Sequence, residues 1–215
     1  MICRALLSLF SSKSFQKKSF VNQAELISFI NLIRKIKNIK FQGIIGYEDI
    51  YDDSDNIYLC SKYCNKGNIG NFIISRGALS ESISRKIFNQ LLKQLSFLHS
   101  IGIAHRDIKA ENILIDERMN VAITDFEYAA DLSDVKYDIR GTFLFAAPEV
   151  TDSEYDLIAA DTWSLGVILY ILLAGVLPWN KNKDISIHEQ IQQGVFDTPR
   201  GISREAEDFL SKILD

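Results

Sequence analysis

Four short stretches decide how this chain is read: HRDIKAEN (His105–Asn112), TDFE (Thr124–Glu127), AAPE (Ala146–Glu149) and DTWSLG (Asp161–Gly166). Each alone is a weak signal; together, in this order and at this spacing, they are a strong one. Working outward, short apolar strands fit Ile113–Ile115 and Val121–Ile123. The run from Asp161 to Ala174 is a nearly all-apolar helix that reads as buried, ended by Gly175 and Pro178. Ile185–Gln193 and Ser203–Leu214 have the spacing of amphipathic helices. Upstream, Ile83, Ile87, Leu91, Leu95 and Leu98 fall on one side of a helix from about Ser82 to Ser100, which Ser80 or Ser82 caps. Ala24–Lys40 is also helical in period. Ile44–Tyr51 and Asn56–Cys60 read as two strands around the Asp-rich turn at Asp52–Asp55. A small β-containing front and a helical back make the fold class α+β.

The 215 residues suit one large domain or two small lobes, and 47% hydrophobic content builds a core without disulfides. A net charge of -4 gives no global electrostatic reason to bind nucleic acid. Cys3, Cys60 and Cys64 form neither a disulfide framework nor paired metal ligands. Cys60 and Cys64 sit in an apolar-aromatic run and read as buried thiols, and the cysteine usage points to a reducing compartment, cytoplasmic or nuclear. No apolar run is expected to reach a membrane span of roughly 18 residues, so no membrane partner is expected. Residues 1–22 lack acids and carry Arg4, Lys13, Lys17, Lys18 and several serines, a composition shared with mitochondrial transit peptides. A strand-and-basic-pair reading of the same segment competes with it.

The four motifs resemble, in order, the catalytic-loop, D-F-G and A-P-E elements and the following helix of the protein kinase family, over nearly the whole chain from about Leu9 to Asp215. The resemblance implies a two-lobed fold, with a reduced β lobe over residues 1–62 and a helical lobe over residues 63–215. It also implies transfer of the ATP γ-phosphate to a protein Ser or Thr, with ATP and Mg²⁺ as cofactors and a regulatory protein as a further partner. Such transfer has a loose transition state, so positioning and charge neutralisation are what a protein supplies. Asp107 resembles the catalytic base. Lys109 resembles the cation near the transferred phosphate, and a lysine there resembles the serine/threonine branch. Asn112 and Asp125 resemble the Mg²⁺ ligands. Leu114 matches the floor under adenine, Tyr63 and Cys64 the hinge strand, and Lys13 the ATP-anchoring lysine. His105 is expected to pack on Phe126, and Asp161 to accept bonds from the catalytic-loop backbone, because a carboxylate in so apolar a helix must be bonded. KYDIRGTFLFAAPEV, ILLAGVLPWN and the tail look like the calcium/calmodulin-dependent and AMP-activated group, which includes checkpoint-type kinases.

Several positions depart from the pattern. No G-x-G-x-x-G occurs, and there is no room for its two strands before Met1. The acid that pairs the anchoring lysine should stand at Phe29 or Leu32, and neither is acidic. Glu25 lies one to two turns earlier and reads as a first-turn residue near the helix dipole. Lys13 is therefore left with no clear acidic partner. Glu127 replaces a glycine, Ala110 a proline, and Asn68 stands at the ribose-side acid. Glu149 reads as a buried carboxylate whose arginine would lie beyond Asp215. Asp138 stands where this group carries an activating phosphorylated residue, and Arg106 is its expected partner. Two functional readings follow: an active kinase with its chemical residues intact, or a pseudokinase scaffold that has lost its phosphate loop and helix glutamate. The ragged ends also fit a truncated gene product.

Overall fold

The computed structural model describes residues 10–62, 67–133, 141–151 and 154–215. Its front holds β1 (Phe10–Gln16), α1 (Gln23–Lys37), β2 (Ile44–Ile45), β3 (Tyr47–Asp52) and β4 (Asn56–Lys62). Strands β1, β4 and β3 form an antiparallel sheet in that order, with Lys13 opposite Leu59. The turn between β3 and β4 is the Asp-rich one. Asp53 accepts hydrogen bonds from the N–H groups of Asp55 and Asn56, each 2.8 Å, so a side chain stands in for a backbone turn. Helix α1 starts at Asn22, whose side chain accepts the Glu25 N–H at 2.9 Å, while the Glu25 carboxylate accepts the Val21 N–H at 2.6 Å. Its apolar stripe buries Leu32, Ile33 and Ile36.

The back holds α2 (Ile69–Arg76), α3 (Glu81–Ser100), β5 (Ile103–Ala104), β6 (Ile113–Ile115), β7 (Val121–Thr124), β8 (Ala130–Asp131), α4 (Leu157–Ala174), α5 (Ile187–Gln192) and α6 (Arg204–Ile213). Strands β6 and β7 form a hairpin, and β2 joins β7 in parallel. The fold is mixed helix and strand, a small sheet beside a helical mass. The expected helices and most of the expected strands are present, with ends shifted by a few residues, but the strand expected over Ile44–Tyr51 breaks at Gly46 into β2 and β3, which join different sheets. Helix α2 was not anticipated. Ser80 stands at the N-cap of α3 but makes no side-chain cap bond, and its hydroxyl pairs instead with Ser82 at 3.1 Å.

Helix α4 is the axis of the core. Thirteen of its residues are buried, from Leu157 to Leu173. Each fully buried Leu or Ile contributes about 1.5–3 kcal/mol over leaving it in water. Gly175 closes the helix in the left-handed region, φ 75°, and returns its N–H to the Ile171 carbonyl. The expectation that no apolar run approaches membrane length needs correction. The 18 residues of α4 are long and apolar enough to cross a bilayer, but 78% of that stretch is buried by the protein's own helices. Burial of Asp161, in its second turn, fits a helix enclosed by protein. Cys60 is a free thiol and half-buried, more open than a core cysteine; Cys3 and Cys64 lie outside the described residues.

Candidate active site

The turn between β5 and β6 carries His105 to Asn112, and it is held from below by α4. Asp161 is 1% exposed. One of its oxygens accepts the Arg106 N–H at 2.8 Å, and the other accepts the His105 N–H at 2.8 Å and meets His99 Nε2 at 2.9 Å. These bonds hold Arg106 in the left-handed region, φ 65°, a conformation a non-glycine residue keeps only where its surroundings impose it. His105 is fully buried and its ring lies 5.0 Å from that of Phe126. Its Nδ1 accepts the Asp107 N–H at 3.3 Å, so Nε2 carries the proton and donates to the Thr124 carbonyl at 3.0 Å. Burial pushes the His105 pKa down and keeps the ring neutral.

Asp107 is the centre of the next layer. It is 6% exposed, and both of its oxygens are engaged. Oδ2 accepts from Asn112 Nδ2 at 2.9 Å and from Lys109 Nζ at 2.7 Å. Oδ1 accepts the Thr142 hydroxyl at 3.0 Å, and Lys109 donates to that same hydroxyl oxygen at 3.0 Å. Asn112 also donates to the Asp107 carbonyl at 2.9 Å, which fixes its amide and leaves the oxygen as its free acceptor face among the described residues. Thr142 reaches this cluster because Gly141 lets the chain press against the catalytic turn. A Cβ at Gly141 would lie 2.5 Å from the Arg106 carbonyl, and its φ of +94° suits only glycine. The segment after it is anchored by Trp179, whose ring N–H donates to Leu144 O at 2.8 Å, and by Ser164, whose hydroxyl donates to Phe145 O at 2.8 Å.

Across the cleft, β1 delivers Lys13. Its Nζ lies 2.7 Å and 2.8 Å from the two oxygens of Asp125 and 2.9 Å from Glu127 Oε2. The expectation that Lys13 lacks an acidic partner is therefore wrong: it has two, both from the turn after β7. Burial lowers the Lys13 pKa, but its hydrogen bonds and charge contacts with Asp125 and Glu127 more than offset this and hold it above the ordinary value. Asp125 is in the left-handed region, φ 66°, which turns its carboxylate toward the strand. The buried Tyr47 phenol is pushed up by burial and then by the charges of the same two acids.

Helix α1 supplies no charge here. Phe29 packs its ring 5.1 Å from those of Phe15 and Phe20, and Leu32 is buried. Glu25 is engaged with Val21 in the first turn, as expected of it. Leu114 is half-buried on the face of β6 opposite the buried Ile113 and Ile115. Asn68 caps α2 by accepting the Asn71 N–H at 2.8 Å, so the ribose-side position has a structural task here. Glu149 is partly exposed rather than buried, which removes most of the cost expected of a buried lone carboxylate. Tyr63, Cys64 and Asp138 lie outside the described residues.

The structure thus gathers Asp107, Lys109 and Asn112 into one hydrogen-bonded cluster, and Lys13 with Asp125 into a second. Sequence reasoning missed Thr142 as a member of the first; the Gly141-Thr142 step was its only signal. It missed Glu127 as a partner of Lys13, and nothing in the pattern marked His99 as a partner of Asp161. For magnesium, the donor set fits. A carboxylate (Asp125) and an amide oxygen (Asn112) are hard oxygen ligands of the kind Mg²⁺ takes from a protein while it keeps phosphates and waters. Among the described residues no group of three or more His, Cys, Asp or Glu forms an all-protein metal cage.

The model of the protein kinase domain family matches residues 4–215. CBL-interacting protein kinase 31 of Oryza sativa subsp. japonica is 36% identical over 186 residues, covering 84% of this chain and 41% of the relative. CBL-interacting serine/threonine-protein kinase 12 of Arabidopsis thaliana is 33% identical over 192 residues, covering 86% and 38%. Serine/threonine-protein kinase GIN4 of Saccharomyces cerevisiae is 36% identical over 187 residues, covering 83% and 16%. The chain therefore spans about two fifths or less of the length of these relatives. Its family match covers both clusters and the helix beneath them, and the chain belongs to the protein kinase family, on the side of its serine/threonine-protein kinases.

Proposed function

We propose that this chain transfers the γ-phosphate of ATP to a serine or threonine hydroxyl of a protein substrate, with Mg²⁺. The observation that carries the reading is the Asp107 carboxylate, one oxygen held by Asn112 and Lys109 and the other already accepting a hydroxyl, that of Thr142. A substrate hydroxyl placed beside Thr142 meets the same acceptor, and Asp107 takes its proton. Lys109 sits between carboxylate and hydroxyl, where negative charge on the moving phosphoryl group would need a cation. Mg²⁺ would be held by Asp125 and Asn112 and would neutralise the phosphate oxygens. Lys13 orients the phosphates from the strand side. Leu114 supports the adenine from below.

Names of the relatives support transfer over a scaffold without turnover, since all of those above are called kinases. Two are also called CBL-interacting, which supports a regulatory protein as a further partner. A reducing location, cytoplasmic or nuclear, suits the free Cys60. The test is phosphotransfer to a generic Ser/Thr peptide. Asp107→Asn should cut the rate by about 10²–10⁴, with nucleotide affinity little changed, and Asp125→Ala should abolish Mg²⁺-dependent nucleotide binding. An Asp107→Asn variant as active as the parent refutes the role given to Asp107.

A further inference from the structure

Glu127 stands where the family pattern has glycine, and its carboxylate lies 2.9 Å from Lys13 Nζ. The two residues at which helix α1 should present an acid are Phe29, packed among aromatic rings, and the buried Leu32. Glu25 is turned away, 2.6 Å from the Val21 N–H. These two departures compensate each other in space: the acid missing from the helix has a counterpart in the turn after β7. We infer that Glu127 is the positioning residue for Lys13, doing from the metal-side turn what a helix glutamate does in a complete front lobe.

The geometry separates its task from that of Asp125. Both oxygens of Asp125 face Lys13, at 2.7 Å and 2.8 Å, so in this state Asp125 is the stronger holder. Asp125 is also the carboxylate assigned to magnesium. Once its oxygens turn to a divalent cation, Lys13 loses that grip, and Glu127 is the acid that keeps the ammonium at the phosphates. A second consequence concerns motion. In a complete front lobe the lysine is tied to a helix, so swinging the helix unmakes the site. Here the tie runs from β1 to the residue after Phe126, whose ring is 1% exposed beneath His105. The ionic tie of Lys13 thereby runs to the back of the molecule, while α1 meets β1 through the Phe29–Phe15 ring contact. Glu127 is also one residue from Tyr128 and two from Ala129, at the start of the segment leading to β8, so the same ion pair steadies that segment's root.

This inference rests on the phosphotransferase reading for its nucleotide arm but not for its ion pair, and the two are tested apart. In the ligand-free chain, a zero-length carbodiimide should join Lys13 to Glu127 and to Asp125, both found as linked peptides by mass spectrometry. Adding Mg²⁺ with ADP should suppress the Lys13–Asp125 link and keep the Lys13–Glu127 link. In binding assays Glu127→Gln should weaken Mg²⁺-ADP about tenfold, with a smaller loss in EDTA, where Asp125 still holds the lysine. Glu127→Asp should recover most of the affinity. In a Lys13→Met background Glu127→Gln should change nothing further, which a merely structural role would not predict. Glu127→Gly, which restores the family residue, should weaken binding as the glutamine does. Absence of the Lys13–Glu127 link, an equal loss in the Lys13→Met background, or tighter binding by Glu127→Gly overturns the proposal. A parent chain that forms the link but binds no nucleotide refutes the phosphotransferase reading and the anchoring role with it, leaving only a surface ion pair.

Discussion

The two sides of the cleft hold their charges by different physics. On the back, Asp107 and Asp161 are nearly inaccessible, and each is met by several donors fixed by backbone or by short side chains. On the front, Lys13 is 47% exposed and reaches its acids on a long flexible stem. Buried carboxylates with full hydrogen bonding give a rigid site whose loss is costly. Exposed ion pairs place a charge at little gain in stability and remain free to exchange partners. The back is thus built to keep a base in place, and the front to let a cation change its company.

The largest break in this comparison is expected at Asp161. Asp161→Ala leaves the buried His105 N–H, the part-buried Arg106 N–H and His99 without their acceptor, and should lower unfolding free energy by about 3–5 kcal/mol in urea titrations. A loss below about 1 kcal/mol would show the back to be no stiffer than the front. Gly141→Ala comes next. Its Cβ cannot fit against Arg106 O, and the strained φ adds about 1–3 kcal/mol, so stability should fall and Thr142 should leave Asp107, with a slower transfer rate as the second readout.

A pH series sharpens the contrast. His105 is buried neutral, with its pKa held below the unfolded value. Its contribution is fully present above about pH 6.5, the unfolded pKa, and is lost as pH falls below that toward the folded value. Denaturation midpoints should therefore drop between pH 7.5 and pH 5.5, and a flat profile there would mean the ring charges inside the fold. At the small end stands the Lys35–Asp131 pair, 2.9 Å long, between α1 and β8. Burial would raise the Asp131 pKa, but Lys35 and the Ser133 hydroxyl and N–H take it down to about 2. That stabilisation is present above about pH 4, the unfolded carboxylate value, and fades toward the folded one. Lys35→Met should make the fall in stability between pH 5 and pH 3 shallower than in the parent, by well under 1 kcal/mol, as for an exposed pair.

How much of this was legible in the sequence follows the same division. His105 on Phe126 is readable through the family resemblance alone, and Asp161 under the catalytic turn through the resemblance together with the cost of burying a carboxylate. Long apolar periods also marked α1, α3 and α4. Helix α2 was not readable: eight residues with a short apolar run carry too little period, and its cap, Asn68, was read as a ligand-side position. The sequence places Lys13 on its strand but leaves it without an acidic partner. Its acids lie more than a hundred positions along the chain, so the pairing was set by how the sheet sits against β7. No local pattern carries that information. Thr142 was missed for a similar reason, since a glycine's ability to let two backbones touch is written in shape and not in charge.

The parallel contact of β2 with β7 has a mechanical meaning. It is only two residues long, Ile44 beside Ile123 and Ile45 beside Thr124, reinforced by the Ile123 N–H donating to Gly43 O at 2.8 Å. It lies in the connection between α1 and β3, so the strand that leads straight into Asp125 is sewn to the end of α1. A front that tilted as one plate about a distant hinge would have to tear this seam. The front is also tied to itself, since α1 rests its Phe29 ring 5.1 Å from that of Phe15 on β1 and pairs Lys37 with Asp49 of β3 at 2.6 Å. Helix and sheet are held as one body, so the short β2–β7 seam limits how far Lys13 can lift from Asp125.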